Sequence, residues 1–375
     1  MIRKLYVISS LIISLMIPSF TLLGNFSINL KQKIAKNIVP TWMENQISGD
    51  LQSVSSLGHT MNITRELEGW FNKNFAVRYK IINNKISVIT TPAKETWPED
   101  QKDAYLRRLA LMNKVIFNLG KCTNLPDVDF IVYLNDCFLG TMAPVGPIFG
   151  PCKDRHKDRH VVLIPDFHTF EIYPKLVHEV IHGNTLYPWD KKINKGFWRG
   201  STTGAYFTLN NYKQFTRFIL VEKSQKFAHL LDARFTNLTQ MNNSLKVLMK
   251  KYTAPAISIA EHMRYKYQIL IDGNGASYPR GYWQMFSNSV MLKPESNSIQ
   301  WFYSALKPYK HFIPLKADLS NLKDQLMWAI NSDKKVKKIA KNAQNFARNN
   351  LRLEDNLYYI YILLDRVSKL QKTSL

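Results

Sequence analysis

The sequence predicts an α/β protein of two domains, and three observations support this prediction. The chain has 375 residues, too many for one small core and close to the length of two ordinary domains. Hydrophobic residues make up 45% of the chain, which is typical of a packed globular protein. In the second half, strand patterns alternate with helix patterns, the order that produces a mostly parallel sheet. The predicted units are a hydrophobic N-terminal segment, two domains and a C-terminal helix, at residues 1–25, 26–194, 195–350 and 351–375.

The N-terminal half mixes helix and strand patterns. Helical patterns lie in "QKIAKNIVPTWMENQI" and "TRELEGWFNKNF", and "VRYKIINNKISVIT" predicts two strands around an Asn-Asn turn. "DAYLRRLALMNKVIFNLG" predicts an amphipathic helix ending at Gly120. "DVDFIVYLND" predicts a buried strand with Asp136 at its C-terminal end, and "HVVLIPDF" predicts another strand. Ligands gather at this end of strands in open α/β sheets, although a strand-end cap is the ordinary alternative for Asp136.

The next predicted helix carries H-E-V-I-H, a pattern typical of zinc metalloproteases. His178 and His182, one turn apart, would bind zinc, and Glu179 between them would be the general base. Pro174 at a first-turn position and Gly183 predict the two ends of this helix.

The zinc interpretation lacks a third ligand. The metzincin continuation requires Gly at 185 and His at 188, where the chain has Thr185 and Pro188. No glutamate follows about 20 residues further on, as it does in thermolysin-like sites. A zinc metallopeptidase therefore remains only as an alternative from another functional class.

The C-terminal half begins at the Lys-rich stretch "YPWDKKINKGFWRGS", which contains a strand at residues 195–199. "YKYQILID", "VMLKP" and "HFIPL" predict further strands, and "RGYWQMFSNS" and "LKDQLMWAI" predict helices. In "IDGNGASYPRGYW", the glycines allow close backbone approach, and the helix that follows offers free N–H groups to a phosphate. This turn and "FWRGST" would form a nucleotide pocket if they faced one cleft. Taken singly, each is equally well an ordinary turn.

Charge and the N-terminus limit the possible partners. The chain has 51 Lys and Arg against 28 Asp and Glu, and its net charge of +23 attracts polyanions. It has no helix-turn-helix, zinc-finger or RNA-recognition signature, so nucleic acid is not an expected partner. "MIRK" and about 20 uncharged residues after it predict a signal peptide or an uncleaved signal anchor. We favour the anchor, and thus a membrane-associated protein whose side of the membrane stays open.

The three cysteines, Cys122, Cys137 and Cys152, form no C-x-x-C pair. This spacing argues against a disulfide scaffold and a cysteine-rich zinc site. In "CKDRHKDRH", Cys152, His156 and His160 have the helical spacing of metal ligands, but the neighbouring Lys and Arg would repel a cation. We interpret this stretch as a solvated basic loop.

Several ordered motifs resemble glycosyltransferase family 90. They are "LPDVDFIVYLND", "YPWDKK", "FWRGST", "YKYQILIDGNGASYPRGYWQMFSNSVMLKPES" and "QWFYSALKPYKHFIPLKADLSNL", and they cover most of residues 125–350. The family includes microbial lipopolysaccharide- and capsule-modifying transferases and the Rumi-type protein O-glucosyltransferases of animals. The resemblance implies a GT-B fold, in which two Rossmann-like domains face a cleft and the C-terminal helix packs back across it. It also implies inverting transfer from a UDP-sugar, without a metal or other cofactor.

The resemblance also implies roles for single residues. Asp136 falls where the family places its catalytic base, which takes the proton of the acceptor hydroxyl. Ser201 and Arg217 match residues that contact the nucleotide sugar, although Arg217 lacks the usual Ser-Pro-Glu-Arg context. Glu295 in "KPES" would bind the ribose hydroxyls, by analogy with other GT-B enzymes. The loop that wraps the donor is matched, with Pro279 inserted, by Asn274, Gly275, Ala276, Ser277, Tyr278 and Arg280.

The implied reaction needs no metal ion. Arg217, Arg280 and helix N-terminal amides would stabilise the departing diphosphate. "DVD" at residues 127–129 has the letters of a metal motif but enters a strand. The expected acceptor of the glucose- or xylose-type sugar is a hydroxyl of a lipopolysaccharide or polysaccharide, and a protein Ser or Thr is the alternative.

Overall fold

The computed structural model describes residues 17–137 and 146–372. They form two five-stranded sheets and one two-stranded sheet, with helices on the sheet faces. The strands are β1 (Ala76–Ile82), β2 (Lys85–Thr90), β3 (Val128–Tyr133), β4 (Ile148–Gly150), β5 (Lys153–Asp154), β6 (Val161–Leu163), β7 (Ile193–Ser201), β8 (Leu231–Asn237), β9 (Tyr265–Ile269), β10 (Val290–Pro294), β11 (Ser298–Ile299) and β12 (Ile313–Leu315). The α-helices are α1 (Ile17–Lys36), α2 (Thr41–Ser55), α3 (Arg65–Phe71), α4 (Glu99–Cys122), α5 (Phe167–Leu186), α6 (Thr216–Lys226), α7 (Asn243–Met249), α8 (Ile259–His262), α9 (Tyr278–Phe286), α10 (Leu322–Asn331), α11 (Asp333–Asn350) and α12 (Leu353–Lys372).

The first sheet has the strand order β2-β1-β3-β4-β6. β1 is antiparallel to β2 and β3, whereas β3, β4 and β6 are parallel. The predicted hairpin is confirmed: Asn83 and Asn84 have φ of 50° and 61° in its two-residue turn, a conformation that Asn tolerates. Asp127 accepts a hydrogen bond from the Asn83 N–H at 2.7 Å, and Asp129 pairs with Arg78 at 2.7 Å. Both aspartates of "DVD" therefore have structural partners.

The second sheet has the order β12-β10-β9-β7-β8, and all its neighbouring strands are parallel. The alternating patterns of the second half predict this arrangement, which is confirmed. α9 begins at Tyr278, two residues before the predicted start, and Pro279 lies in its first turn. Proline is tolerated there because that N–H has no partner within the helix.

Residues from both halves of the chain share one core. The larger buried cluster joins the first sheet with α9, Trp301 and α12, and a second cluster lies on the second sheet. β5 and β11 pair across the halves, and the Arg155 N–H donates to the Asn297 carbonyl at 2.9 Å. α12 packs on α1 and β3, with Lys33 and Asp355 paired at 2.7 Å. The boundary at residue 194 and the GT-B arrangement stay predictions.

The bounds predicted for the H-E-V-I-H helix are wrong. α5 begins at Phe167, because the Asp166 side chain accepts hydrogen bonds from the N–H groups of His168 and Thr169 and caps it there. Pro174 therefore lies inside the helix. Gly183 does not end it either, since α5 continues to Leu186.

The prediction of a solvated basic loop at "CKDRHKDRH" is wrong for part of that stretch. Lys153 is only 5% exposed, and its ammonium group pairs with buried Asp50 at 2.6 Å and donates to the Val161 carbonyl. Cys152 and His160 are also buried, whereas Arg155, His156, Lys157 and Arg159 are exposed. Pairing with Asp50 allows a lysine to enter the core, which composition alone does not reveal.

The predicted membrane localisation also requires correction. Residues 1–16 of the predicted hydrophobic segment lie outside the described residues. In residues 17–137 and 146–372, no helix is long and apolar enough to cross a bilayer, and this finding overturns the prediction. α1 runs past the predicted end of the segment, and its Leu30 side chain is fully buried in the larger core.

Gly183 allows α5 and α8 to cross closely, which gives a first test. A Cβ at position 183 would lie 2.6 Å from Met263 Cγ and 2.8 Å from the Ala260 Cα. We expect Gly183→Ala to lower the free energy of unfolding by about 1–3 kcal/mol through overpacking. Gly49→Ala in α2 is the control: its Cβ would meet nothing within 4 Å, and alanine should stabilise that helix by about 0.5–1 kcal/mol. Urea denaturation measures both, and equal effects of the two substitutions would contradict the close crossing.

Candidate active site

Loops that leave the carboxyl ends of β7, β9 and β10 meet at one edge of the second sheet. In parallel α/β sheets this edge is where ligands bind. The loops line an open cavity of about 190 Å³, whose walls include Thr203, Gly204, Arg217, Asp272, Gly273 and Glu295. Thr203 and Gly204, directly after "FWRGST", therefore line one cavity with Asp272 and Gly273 of the Gly-rich turn and with part of the "KPES" loop.

Arg217, in the first turn of α6, connects these turns. Its guanidinium donates to the carbonyls of Asp272 at 2.8 Å and Ser201 at 2.7 Å, and to Thr203 Oγ1 at 2.7 Å. Burial lowers the pKa of Arg217 to about 10, against the opposing charge of Asp272, so the side chain remains protonated at neutral pH. Among the described residues no carboxylate lies within salt-bridge distance of it, and its positive charge is left at the cavity wall.

The Gly-rich loop packs so closely that two of its positions exclude a side chain. A Cβ on Gly273 would lie 2.6 Å from Thr203 Oγ1, and a Cβ on Gly275 would lie 2.5 Å from Cys137 Cβ. The loop closes on itself, because the Gly273 N–H donates to the Gly275 carbonyl at 2.9 Å. Ser277 Oγ donates to the Ile271 carbonyl at 2.6 Å. The loop is thus fixed by its own backbone.

Asp136 lies beyond the end of β3, beside this loop. Its Oδ1 accepts a hydrogen bond from Arg108 Nη2 at 2.7 Å, and its Oδ2 lies 3.4 Å from Asn274 Nδ2. Asn274 Oδ1 in turn accepts from the Gly204 N–H at 3.0 Å. One amide therefore links the candidate base on the first sheet to the cavity on the second. The Asp136 side chain is 36% exposed, so an acceptor group has access to it.

Arg280, predicted to hold the diphosphate, lies beside the cavity rather than on its wall. Nη2 donates to the Arg199 carbonyl at 2.6 Å, and the guanidinium lies over the Trp283 ring at 5.5 Å. Burial and the nearby Arg217 lower the pKa of Arg280 to about 9. Tyr278, two residues before Arg280, is buried as well. The donor-binding roles of Arg280 and Tyr278 stay predictions.

The remaining predicted site residues differ in which of their polar groups are still available to bind a ligand. Glu295 lines the same cavity as Arg217. Ser201 contributes its main-chain carbonyl to Arg217. The Ala276 N–H lies 3.4 Å from Cys152 Sγ and donates to it, so this amide already has a partner.

Arg108, Asp272 and Lys293 are site residues that the sequence analysis does not identify. Burial raises the pKa of the Asp272 carboxyl, while the nearby Lys293 charge and Ser296 hydroxyl oppose that shift. Burial also lowers the pKa of Lys293, which lies 4.8 Å over the Tyr303 ring. Asp272 is the last residue of a predicted strand and directly precedes the glycines, a position that could have marked it. The sequence does not mark Arg108 as a site residue, because helix periodicity alone does not show which charged side chain contacts a distant loop.

The H-E-V-I-H residues lie elsewhere, on α5. The His178 and His182 rings are parallel and 6.5 Å apart, and Glu179 accepts a hydrogen bond from the Ala260 N–H at 3.3 Å. Within residues 17–137 and 146–372, no three His, Cys, Asp or Glu side chains are grouped so as to hold a metal ion. Glu179 helps to join α5 to α8, and the zinc interpretation gains no third ligand there.

Comparisons with known proteins place these residues in a wider context. A family model described as "Glycosyl transferase family 90" matches residues 40–375. "Protein O-glucosyltransferase 2" of Danio rerio is 30% identical over 88% of this chain, and "Protein O-glucosyltransferase 3" of Homo sapiens is 28% identical over 88%. This chain spans 62% of the length of each of these relatives. A crystal structure of a glycosyltransferase from Rickettsia africae covers 60% of this chain and 64% of its own, at 11% identity and a TM-score of 0.33.

The role of Arg217 as a link between loops can be tested through stability. Arg217→Met removes the donors to three acceptors, and we expect it to lower the free energy of unfolding by about 2–4 kcal/mol. Lys246→Met, which removes an exposed charge from α7, should change it by less than about 0.5 kcal/mol. If both variants unfold at the wild-type urea concentration, Arg217 does not hold the loops together.

Proposed function

The chain belongs to glycosyl transferase family 90 and is a glycosyltransferase, and on this premise we propose that it moves glucose from UDP-glucose to a Ser or Thr hydroxyl of a protein. The relatives named above are protein O-glucosyltransferases. Their names support the alternative acceptor of the sequence prediction, a protein, better than a lipopolysaccharide. The observation that carries the proposal is the hydrogen-bonded path from Asp136 through Asn274 to Gly204, which joins a candidate base to the cavity.

In this proposal the cavity at the end of the second sheet binds the donor. The charge of Arg217, which has no salt bridge among the described residues, attracts a diphosphate, and protein groups that are already in place can stabilise charge as it develops on a leaving group. Glu295, which lines the same cavity, would accept hydrogen bonds from the ribose hydroxyls. The donor would need no metal ion under this arrangement.

Asp136 would act as the general base. As the acceptor oxygen bonds to the anomeric carbon, its proton passes to the carboxylate and the bond to the diphosphate oxygen breaks. Attack from the side opposite the diphosphate inverts the anomeric carbon. Oδ1 is held by Arg108, whereas Oδ2 has only the long contact with Asn274. We therefore assign proton acceptance to Oδ2.

Asp136→Asn tests the chemistry. Because the amide cannot take the proton, we expect glucose transfer to fall by roughly 10²–10⁴-fold, while UDP binding measured by calorimetry stays near the wild-type value. The assay pairs UDP-glucose and UDP-xylose with folded protein domains and with lipopolysaccharide, with and without EDTA. Transfer that survives in Asp136→Asn, or that is lost on chelation, would contradict the mechanism. Transfer to lipopolysaccharide alone would sink the acceptor assignment.

Arg108 would be a positioning residue, and its neighbour supplies a matched control. Arg108 also donates to the Leu134 carbonyl and to Asn135 Oδ1, so it fixes the whole loop that bears the base. We expect Arg108→Gln to lower kcat by about tenfold, with a small change in the donor KM, because misplacing a reacting group costs rate more than binding. Arg108→Lys should recover part of the loss. Arg107→Gln removes an equal but exposed charge and should match the wild type; equal losses in both variants would contradict the positioning role.

A further inference from the structure

Two cysteines lie in contact with each other next to the candidate base, Asp136. Cys137 Sγ and Cys152 Sγ are 3.0 Å apart, although 15 positions separate them in the sequence. Cys137 follows Asp136 in the segment after β3 of the first sheet, and Cys152 lies between β4 and β5. Both side chains are buried, with exposures of 7% and 0%. A small movement would bring the two sulfurs to the bond length of a disulfide, about 2.05 Å.

The surroundings of the pair connect it to the donor loop. A Cβ on Gly275 would lie 2.5 Å from Cys137 Cβ and 3.3 Å from Cys152 Sγ, so the loop backbone rests on both cysteines. The Ala276 N–H donates to Cys152 Sγ. The pair therefore lies between the loop that bears Asp136 and the loop that lines the cavity.

We propose that Cys137 and Cys152 form an oxidation site, whose disulfide holds Asp136 at a fixed position against the Gly-rich loop. The bond would tie the loop after β3 to the segment between β4 of the first sheet and β5 of the two-stranded sheet. Arg108 and Asn274 already orient the Asp136 side chain, and the disulfide would fix the backbone one residue further on. The third cysteine, Cys122, lies at the end of α4 with its Sγ 3.6 Å from Ser27 Oγ, and takes no part.

The oxidant would be a low-molecular-weight disulfide such as oxidised glutathione. The Cys137 thiolate, on the slightly more exposed side, attacks one sulfur of the oxidant, forms a mixed disulfide and releases one glutathione thiolate. The Cys152 thiolate then attacks Cys137 Sγ and releases the second. Two electrons pass from the protein thiols to the oxidant, and the two protein protons end on glutathione. Contact with Cys152 and burial raise the pKa of the Cys137 thiol, so its thiolate is scarce at neutral pH and the reaction should be slow.

Thiol counting tests the oxidation site without any substrate. The full chain is equilibrated with oxidised or reduced glutathione, denatured, alkylated and weighed by mass spectrometry. We expect all three cysteines to be alkylated after reduction and only Cys122 after oxidation, with a Cys137–Cys152 peptide pair in the digest. Cys122→Ser should form the same pair, whereas Cys137→Ser and Cys152→Ser should form none. Three reactive thiols after oxidation, a bond to Cys122, or a lasting glutathione adduct on Cys137 would each overturn the proposal.

The positioning part of the proposal rests on the proposed transferase function and has its own readout. We expect the oxidised chain to melt roughly 5 °C higher than the reduced chain, and to transfer sugar about tenfold faster at an unchanged UDP affinity. Cys122→Ser should show the same difference between its two states. Equal rates in both states would overturn the positioning role. If the disulfide forms but neither state transfers sugar, the proposed function fails and the oxidation site stands.

Discussion

The candidate site depends on one guanidinium, that of Arg217. It donates to acceptors on the turn after β7 and on the loop after β9, and so fixes two backbone segments that have no direct strand pairing at that point. All the acceptors are uncharged, and the cation is partly buried without a salt bridge among the described residues. A cation in that position is costly unless an anion compensates it. The side chain that organises the cavity therefore also makes an anionic ligand favourable there.

A second constraint joins the two sheets. β5 from the N-terminal half and β11 from the C-terminal half pair in a two-stranded sheet. The larger core continues from the first sheet into α9 and α12, and Lys153 pairs with the buried Asp50. These contacts bring the end of β3 to the Gly-rich loop of the second sheet. The close approach of Gly275 to Cys137 follows from the same arrangement, since any larger residue would force the loops apart. The packing between the sheets thus sets the distance from base to cavity.

The periodicity of hydrophobic residues predicts most of the fold, because it shows which face of each strand or helix is buried. It places the hairpin at Asn83 and Asn84, the parallel second sheet, and Asp136 beyond a strand end. It fails where one side-chain contact decides the outcome: Asp166 caps α5 and starts it early, and distant Asp50 draws Lys153 into the core. The site is predicted in part for the same reason. Residues on loops that follow strands are found, whereas Arg108, on a helix face, is identified only by its contact with Asp136.

The outcomes for H-E-V-I-H and Asp136 show that a short sequence motif predicts a functional site less well than several contacts that converge on one residue. The glutamate of the motif is occupied by the Ala260 N–H, in a contact that joins two helices. Asp136 is not held by its own strand, which ends at Tyr133. Arg108 on α4 fixes one of its oxygens, and Asn274 on the Gly-rich loop approaches the other. Because that loop also lines the cavity through Gly273, the candidate base and the cavity wall belong to one hydrogen-bonded unit. A ligand that orders the loop would therefore order Asp136 as well, and neither half of the chain can form this candidate site alone.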